Sequence, residues 1–311
     1  MKHTSLTLSA LAIAATLAMP SVAHAGATIG LSTLGNGVYN TYADLWTNVT
    51  DTAVATGFVP GLTVGPGGAA PYLTELRTQN VTGTMSNSNI PAIVTPAGLN
   101  TNFELSTVVR FQELVDAQTP TTAHFTMPAT QSAAMDVDPL HAGVQNFAVY
   151  FDRLAPVGGP NSKAVPGNGT GTVRCYGTGI TSAGCTGAGD TDGDGTLIMS
   201  AHLIFNDASF TATGPIGTGS FDSRFMIDYV NPLFLDVVTG SIVSDKETGT
   251  TNVPSFFTPN VMWDGTAPTT VPELKVDGSV SFSAVPEPAT LALMGLGFAG
   301  LALGTRRRPG T

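Results

Sequence analysis

The chain has 311 residues, 11% of them charged, against ~25% in an average globular protein, which leaves room for one large domain. A formal net charge of −10 argues against nucleic acid or anionic lipid as a partner and permits cations. Abundant threonine, scarce lysine, 36 glycines and 21 prolines suit β-strands joined by many turns.

In chain order, a positive "MKH" precedes an apolar run from Leu6 to Met19 and the small-x-small box Ala23-His24-Ala25. That layout is a signal peptide over 1–25, with Gly26 the first mature residue. The run is 14 residues long, short of the ~20 a membrane span needs. Next, "YNTYADLWTNVTDTAVATG" at 39–57 has amphipathic helical spacing, weakened by its β-branched residues. The Gly- and Pro-rich stretch 58–72 reads as a loop.

Period-two alternation then dominates. "FELSTVVRF" sets Phe103, Leu105, Thr107, Val109 and Phe111 against Glu104, Ser106 and Arg110. "FAVYF" groups Phe147, Val149 and Phe151, and "LIMSAHLIFN" groups Leu197, Met199, Ala201, Leu203 and Phe205. Beyond Asn206 and Asp207 the apolar set changes parity to Ala208, Phe210 and Ala212, which marks a β-bulge or a tight turn. "LKVDGSVSFSA" sets Leu274, Val276, Val280, Phe282 and Ala284 against Lys275, Asp277, Ser279, Ser281 and Ser283. One buried and one wet face imply antiparallel sheets. The expected fold is all-β: a single antiparallel β-sandwich, jelly-roll-like, over 26–284, with long loops at 58–72 and 155–195, an N-terminal signal helix and a C-terminal transmembrane helix.

The second loop holds Cys175 and Cys185, which in an exported chain are expected to pair and staple it. It also holds "GDTDGDGTL" at 189–197. There Asp190, Asp192 and Asp194 fall at positions 1, 3 and 5 of a calcium-loop pattern, with Gly195 at the turn and the Thr196 carbonyl at position 7. Position 12 is Ala201 rather than a bidentate Glu, and a strand follows, so this is no EF-hand. Two readings stand: a shorter calcium turn, with Asp207 or another loop adding an oxygen, or an acidic hairpin turn that binds nothing.

His124, His141 and His202 stand singly and read as surface residues. "DVDPLH" brings Asp136, Asp138 and His141 close together, but Pro139 breaks the backbone and no nucleophile adjoins. No G-x-S-x-G and no P-loop occurs in the mature region. Trp46, Trp263 and the tyrosines read as core packing.

The chain closes on "AVPEPATLALMGLGFAGLALGTRRRPGT". Pro286 and Pro288 flank Glu287 and hold Val285–Pro288 extended. The run from Thr290 to Gly304 is uncharged, and as a helix its 15 residues reach only ~22 Å. Arg306, Arg307 and Arg308 would stay on the cytoplasmic side. Tripeptide, apolar run and basic end over 285–311 resemble a PEP-CTERM sorting signal. The resemblance implies an exported protein of a Gram-negative bacterium, held briefly in the inner membrane and processed there by exosortase after passing the export machinery.

Two functions follow as expectations. The first is a non-enzymatic structural or adhesive protein of the cell surface or extracellular matrix. The resemblance extends this to exopolysaccharide, biofilm or floc formation, since "FELSTVVRFQELVDAQ" at 103–118 and the stretch 187–213 are similar to flocculation-linked members. The second is a secreted carbohydrate-binding or carbohydrate-active protein on a sandwich.

Overall fold

The computed structural model describes residues 28–88, 92–138, 140–153, 196–213, 216–252 and 273–283. Nearly all of this backbone is extended, with one 3₁₀ turn at Ala133–Met135. The first strands are β1 (Ile29–Leu31), β2 (Thr41–Ala43), β3 (Leu45–Thr56), β4 (Tyr72–Asn87) and the short β5 (Ala92–Ile93). β6 (Phe103–Gln118), β7 (Thr122–Thr126) and β8 (Phe147–Arg153) follow. β9 (Thr196–Thr213), β10 (Ile216–Val230), β11 (Leu235–Asp236), β12 (Ile242–Asn252) and β13 (Glu273–Ser283) complete the set.

The fold is all-β and antiparallel as expected, but it is a closed barrel and not a sandwich. β3 lies between β4 and β13, β4 pairs onward with β6, and β13 leads through β12 and β10 to β9. Between β6 and β9 the ring is completed by two strands laid end to end. β8 pairs with the first half of β6 and β7 with its last residues, and both also pair with β9. That makes eight positions, a size at which side chains just fill the interior. Alternation reports that one face is buried. It does not report whether that face meets a second sheet or the far wall of its own.

The segment 39–57 is strand, not helix. β-branched residues at Thr47, Val49, Thr50, Thr52 and Val54 suit a ladder, and β4 and β13 supply partners on both sides. Trp46 points inward and packs edge-on against Phe282, ring centroids 4.8 Å apart. The expected inner faces of β6, β8 and β13 are borne out at Phe103–Phe111, Phe147–Phe151 and Val276–Phe282. Leu274 and Ala284 fall where no side chain is described.

Two positions in β9 are reversed. The strand runs unbroken, so the parity change is a bulge, and it lies between Leu203 and Phe205. Phe205 therefore faces outward beneath the Arg224 guanidinium, 4.8 Å from the ring centre, while Asn206 turns inward. A second bulge, opposite Val149 and Tyr150, sends Leu197 outward onto a small cluster of Val108, Val137, Ala148 and Tyr150. That cluster exists because residues 131–146 fold across the outside of β8, so the wet face expected there is buried too.

Both ends are covered. β1 sits between β2 and β11 as a three-stranded cap, burying Ile29, Leu31, Ala43 and Leu235. At the other end the loop 57–71 is tied down by paired backbone hydrogen bonds between Val64 and Gln118, and it plugs Phe58 against Phe125 and Phe210. Outward positions carry Glu75, Arg77, Asp222, Arg224 and Lys246, and apolar residues point in. A transmembrane barrel has the reverse polarity. Among the described residues no helix is long and apolar enough to cross a membrane.

Asn146 closes the gap where β8 and β7 meet. Its side chain donates to the Arg110 carbonyl at 3.0 Å and accepts from the Leu203 N–H at 3.2 Å, replacing missing ladder rungs between β6 and β9. Asn146→Ala strands a buried donor and a buried acceptor, at ~1–3 kcal/mol each. Urea unfolding is expected to show a loss of about 2–4 kcal/mol, and a loss below ~1 kcal/mol means the rungs are dispensable.

Candidate functional site

Most sequence-derived site residues lie outside the described residues: Ala23, Ala25 and Gly26, Cys175 and Cys185, Asp190, Asp192 and Asp194, and Val285–Pro288 with Arg306–Arg308. The predicted disulfide and calcium turn fall there. Thr196 is described. It opens β9, exposed and paired with Phe151. Asp207 cannot complete a site beside it. Eleven positions along one strand separate them, about 36 Å at ~3.3 Å per residue.

The barrel holds a polar layer that patterning alone did not single out. On β6 the inward face runs Val109, Phe111, Glu113, Val115, placing a carboxyl among apolar rings. Asn206 donates to Glu113 at 2.9 Å, and Ser223 donates to Asn206 at 2.8 Å. Nearby, Asn80 donates to Glu247 at 2.6 Å. Gly278 faces Glu247 across the β12–β13 pair. A Cβ there would come within 2.4 Å of the Glu247 Cγ, so glycine is required. Asp245 is fully buried, and neither carboxylate oxygen has a hydrogen-bond partner in the protein; the same holds for both amide atoms of Asn48.

Among the described residues no Lys or Arg is buried beside these acids. Burial pushes the Glu113 carboxyl up to about 7, only partly opposed by the bond from Asn206. Burial raises Asp245 as well, with the Asp222 charge adding to it. Glu113 also borders a cavity of about 50 Å³ walled by Ala53, Leu76, Phe125, Phe210 and Phe221. That is space for water-sized molecules, not for a sugar.

Outside, strands β9, β10, β12 and β13 form an open groove of about 640 Å³ lined by Ser209, Ser220, Thr248 and Ser279 with Asp207, Asp222 and Lys246. Lys246 reaches Asp222 at 3.1 Å. His124 bridges Asp116 (2.7 Å) and Asp207 (3.1 Å), and the bond to Asp116 leads in holding its imidazolium to higher pH than usual.

The other two histidines also pair with carboxylates: His202 with Asp228 and His141 with Asp138, each at 2.6 Å. Asp138 also accepts from Ser200 at 2.6 Å, and His141 stacks on Tyr229. Here the carboxylate stands between hydroxyl and imidazole, so the imidazole cannot take the hydroxyl proton as a nucleophilic triad requires. The trio latches the 131–146 segment onto β9.

Residues 284–308 match the PEP-CTERM protein-sorting motif. The motif marks an exported protein processed by exosortase, in agreement with the reading of the tail. No curated protein and no solved structure matches the chain.

Proposed function

We propose that this PEP-CTERM protein is a structural or adhesive component of the cell surface or extracellular matrix, associated with exopolysaccharide in biofilm or floc, and not an enzyme. The observation that carries the reading is the sorting motif at 284–308. The closed barrel supports it: its interior is filled by its own side chains, its ends are covered, and its outer face is polar. Fractionation of native cells is the test. The protein is expected with the exopolysaccharide and without "TRRRPGT". Recovery from the membrane with that tail intact, or free of polysaccharide in the medium, overturns the reading.

The groove over β9–β13 favours the carbohydrate-binding alternative, because serine and threonine hydroxyls beside paired charges match the hydrogen-bonding edge of a sugar. If it is the polysaccharide contact, Ser220→Trp, placed across the groove floor, weakens binding of purified protein to the isolated polymer.

A further inference from the structure

β13 ends at Ser283, which pairs with Ile242 at the start of β12, while Ser281 pairs with Leu45 at the start of β3. The chain therefore leaves the barrel beside the β11–β1–β2 cap. Only residues 284–289 separate Ser283 from the apolar run that begins at Thr290. At ~3.3–3.6 Å per residue the steps from Ser283 to Thr290 reach about 25 Å at most. The 11 residues of β13 place the opposite end of the barrel up to ~36 Å further off. While the tail is in the bilayer, the cap end is the end held near it.

Four of the exposed large apolar side chains gather at the cap end, while Val59 and Leu73 are each 50% exposed at the other. Leu34 and Val38 on the turn after β1 are 61% and 66% exposed, and Leu233 and Val238 on the loops flanking β11 are 53% and 71% exposed. The two segments are clasped together: Ser32 N–H donates to the Phe234 carbonyl at 2.7 Å, Gly37 N–H to the Leu233 carbonyl at 2.9 Å, and the Tyr39 hydroxyl to the Pro232 carbonyl at 2.6 Å. Residues 28–43 contain no charged side chain, and 231–241 contain only Asp236. Glu104 and Asp152, paired where β6 begins and β8 ends, add acidic residues at the same end.

We propose that, before its tail is cut, the barrel stands cap-down on the membrane, with Leu34, Val38, Leu233 and Val238 seated in the lipid interface. The proposal rests on the reading of 284–308 as a membrane-directed sorting signal. Four side chains on short loops bind a bilayer weakly by themselves, since stable anchoring takes two signals. A tether this short supplies the second, at an effective concentration on the order of millimolar. The docked pose would keep Val285–Pro288 at the membrane surface, within reach of a membrane-embedded processing enzyme. Cutting there removes the tether, and the weak patch alone no longer holds the barrel.

The test uses the full chain reconstituted into phosphatidylcholine vesicles, half of whose lipid carries brominated acyl chains that quench tryptophan on contact. Val38→Trp and Leu233→Trp report on the cap, and Leu73→Trp on the exposed start of β4 reports on the opposite end. Emission added by the two cap variants is expected to be quenched, and that added by Leu73→Trp to survive. Equal quenching at the two ends, or none at either, overturns docking. Cap emission reached neither by brominated lipid nor by aqueous acrylamide also overturns it, and assigns the patch to a cover formed by the chain itself. Protein that washes off the vesicles in carbonate shows that the tail does not anchor at all. That result removes the sorting reading together with the proposal, whereas the other failures leave the sorting reading standing.

Discussion

Acidification from about pH 8 to about pH 5 is expected to raise the melting temperature of the barrel by about 10 °C, the opposite of ordinary acid denaturation. The cause is Glu113. In the unfolded chain its carboxyl titrates near 4.5, and in the barrel burial moves it up to about 7. A raised carboxyl contributes full stability below the unfolded value and loses it as pH climbs through the folded one. The window is therefore about 4.5 to 7, and the ionised barrel is less stable than the protonated one by about 3 kcal/mol. Asp245 acts in the same direction. The groups that face these acids do not reverse the sign. Glu113 meets Asn206 and apolar rings, and Asp245 meets the Asp222 charge across the sheet. His124 outside, held protonated by Asp116 and Asp207, also favours the acid side.

Glu113→Gln keeps the bond from Asn206 and removes the charge. It should make the pH profile shallower, leaving the part that Asp245 contributes, and raise the melting temperature at pH 8 while changing little at pH 5. A profile in the variant as steep as that of the parent would place the titration elsewhere.

The sequence made parts of this legible, and the reasons differ. Strand faces on β6, β8 and β13 were readable because alternation there runs without interruption. Glu113 went unread because the alternation was followed only to Phe111, although two residues further the same face lands on a carboxylate. Closure was not readable. It depends on β4 meeting β6 and on β7 and β8 sharing one position, pairings set by the 127–146 crossover rather than by any local period. Asp245 was hidden for a similar reason. Its strand reads "IVSDKETGTTN", with a single valine to mark the inner face, so polar residues on both faces conceal the pattern. His124 and His202 looked isolated because the carboxylates that meet them, Asp116, Asp207 and Asp228, come from neighbouring strands, whereas Asp138 stands three residues from His141 and was visible beside it. The sorting tail was the reverse case. Its chemistry is local, and the order of three short segments carries it without any fold.

Phe225→Ala is expected to cost about 3–5 kcal/mol, and Phe205→Ala about 1 kcal/mol or less. By uninterrupted alternation Phe205 would share the buried face of β9 with Leu203, so the two phenylalanines would be equals. The bulge between Leu203 and Phe205 separates them. Phe225 is fully buried and lies against Phe147 and Phe111, with ring centroids at 5.1 and 6.1 Å, contacts that cross the barrel from β10 to β8 and β6. A closed ring of strands cannot move inward to fill the space a lost phenyl leaves, because each wall is fixed by the ladders on both its sides. The cavity cost therefore falls near the upper part of its range. Phe205 is 38% exposed and loses one contact, the Arg224 guanidinium over its ring face. Guanidinium denaturation of the two variants in parallel decides the matter: a gap of at least ~2 kcal/mol places the bulge where the structure has it, while equal losses would turn Phe205 back into the core.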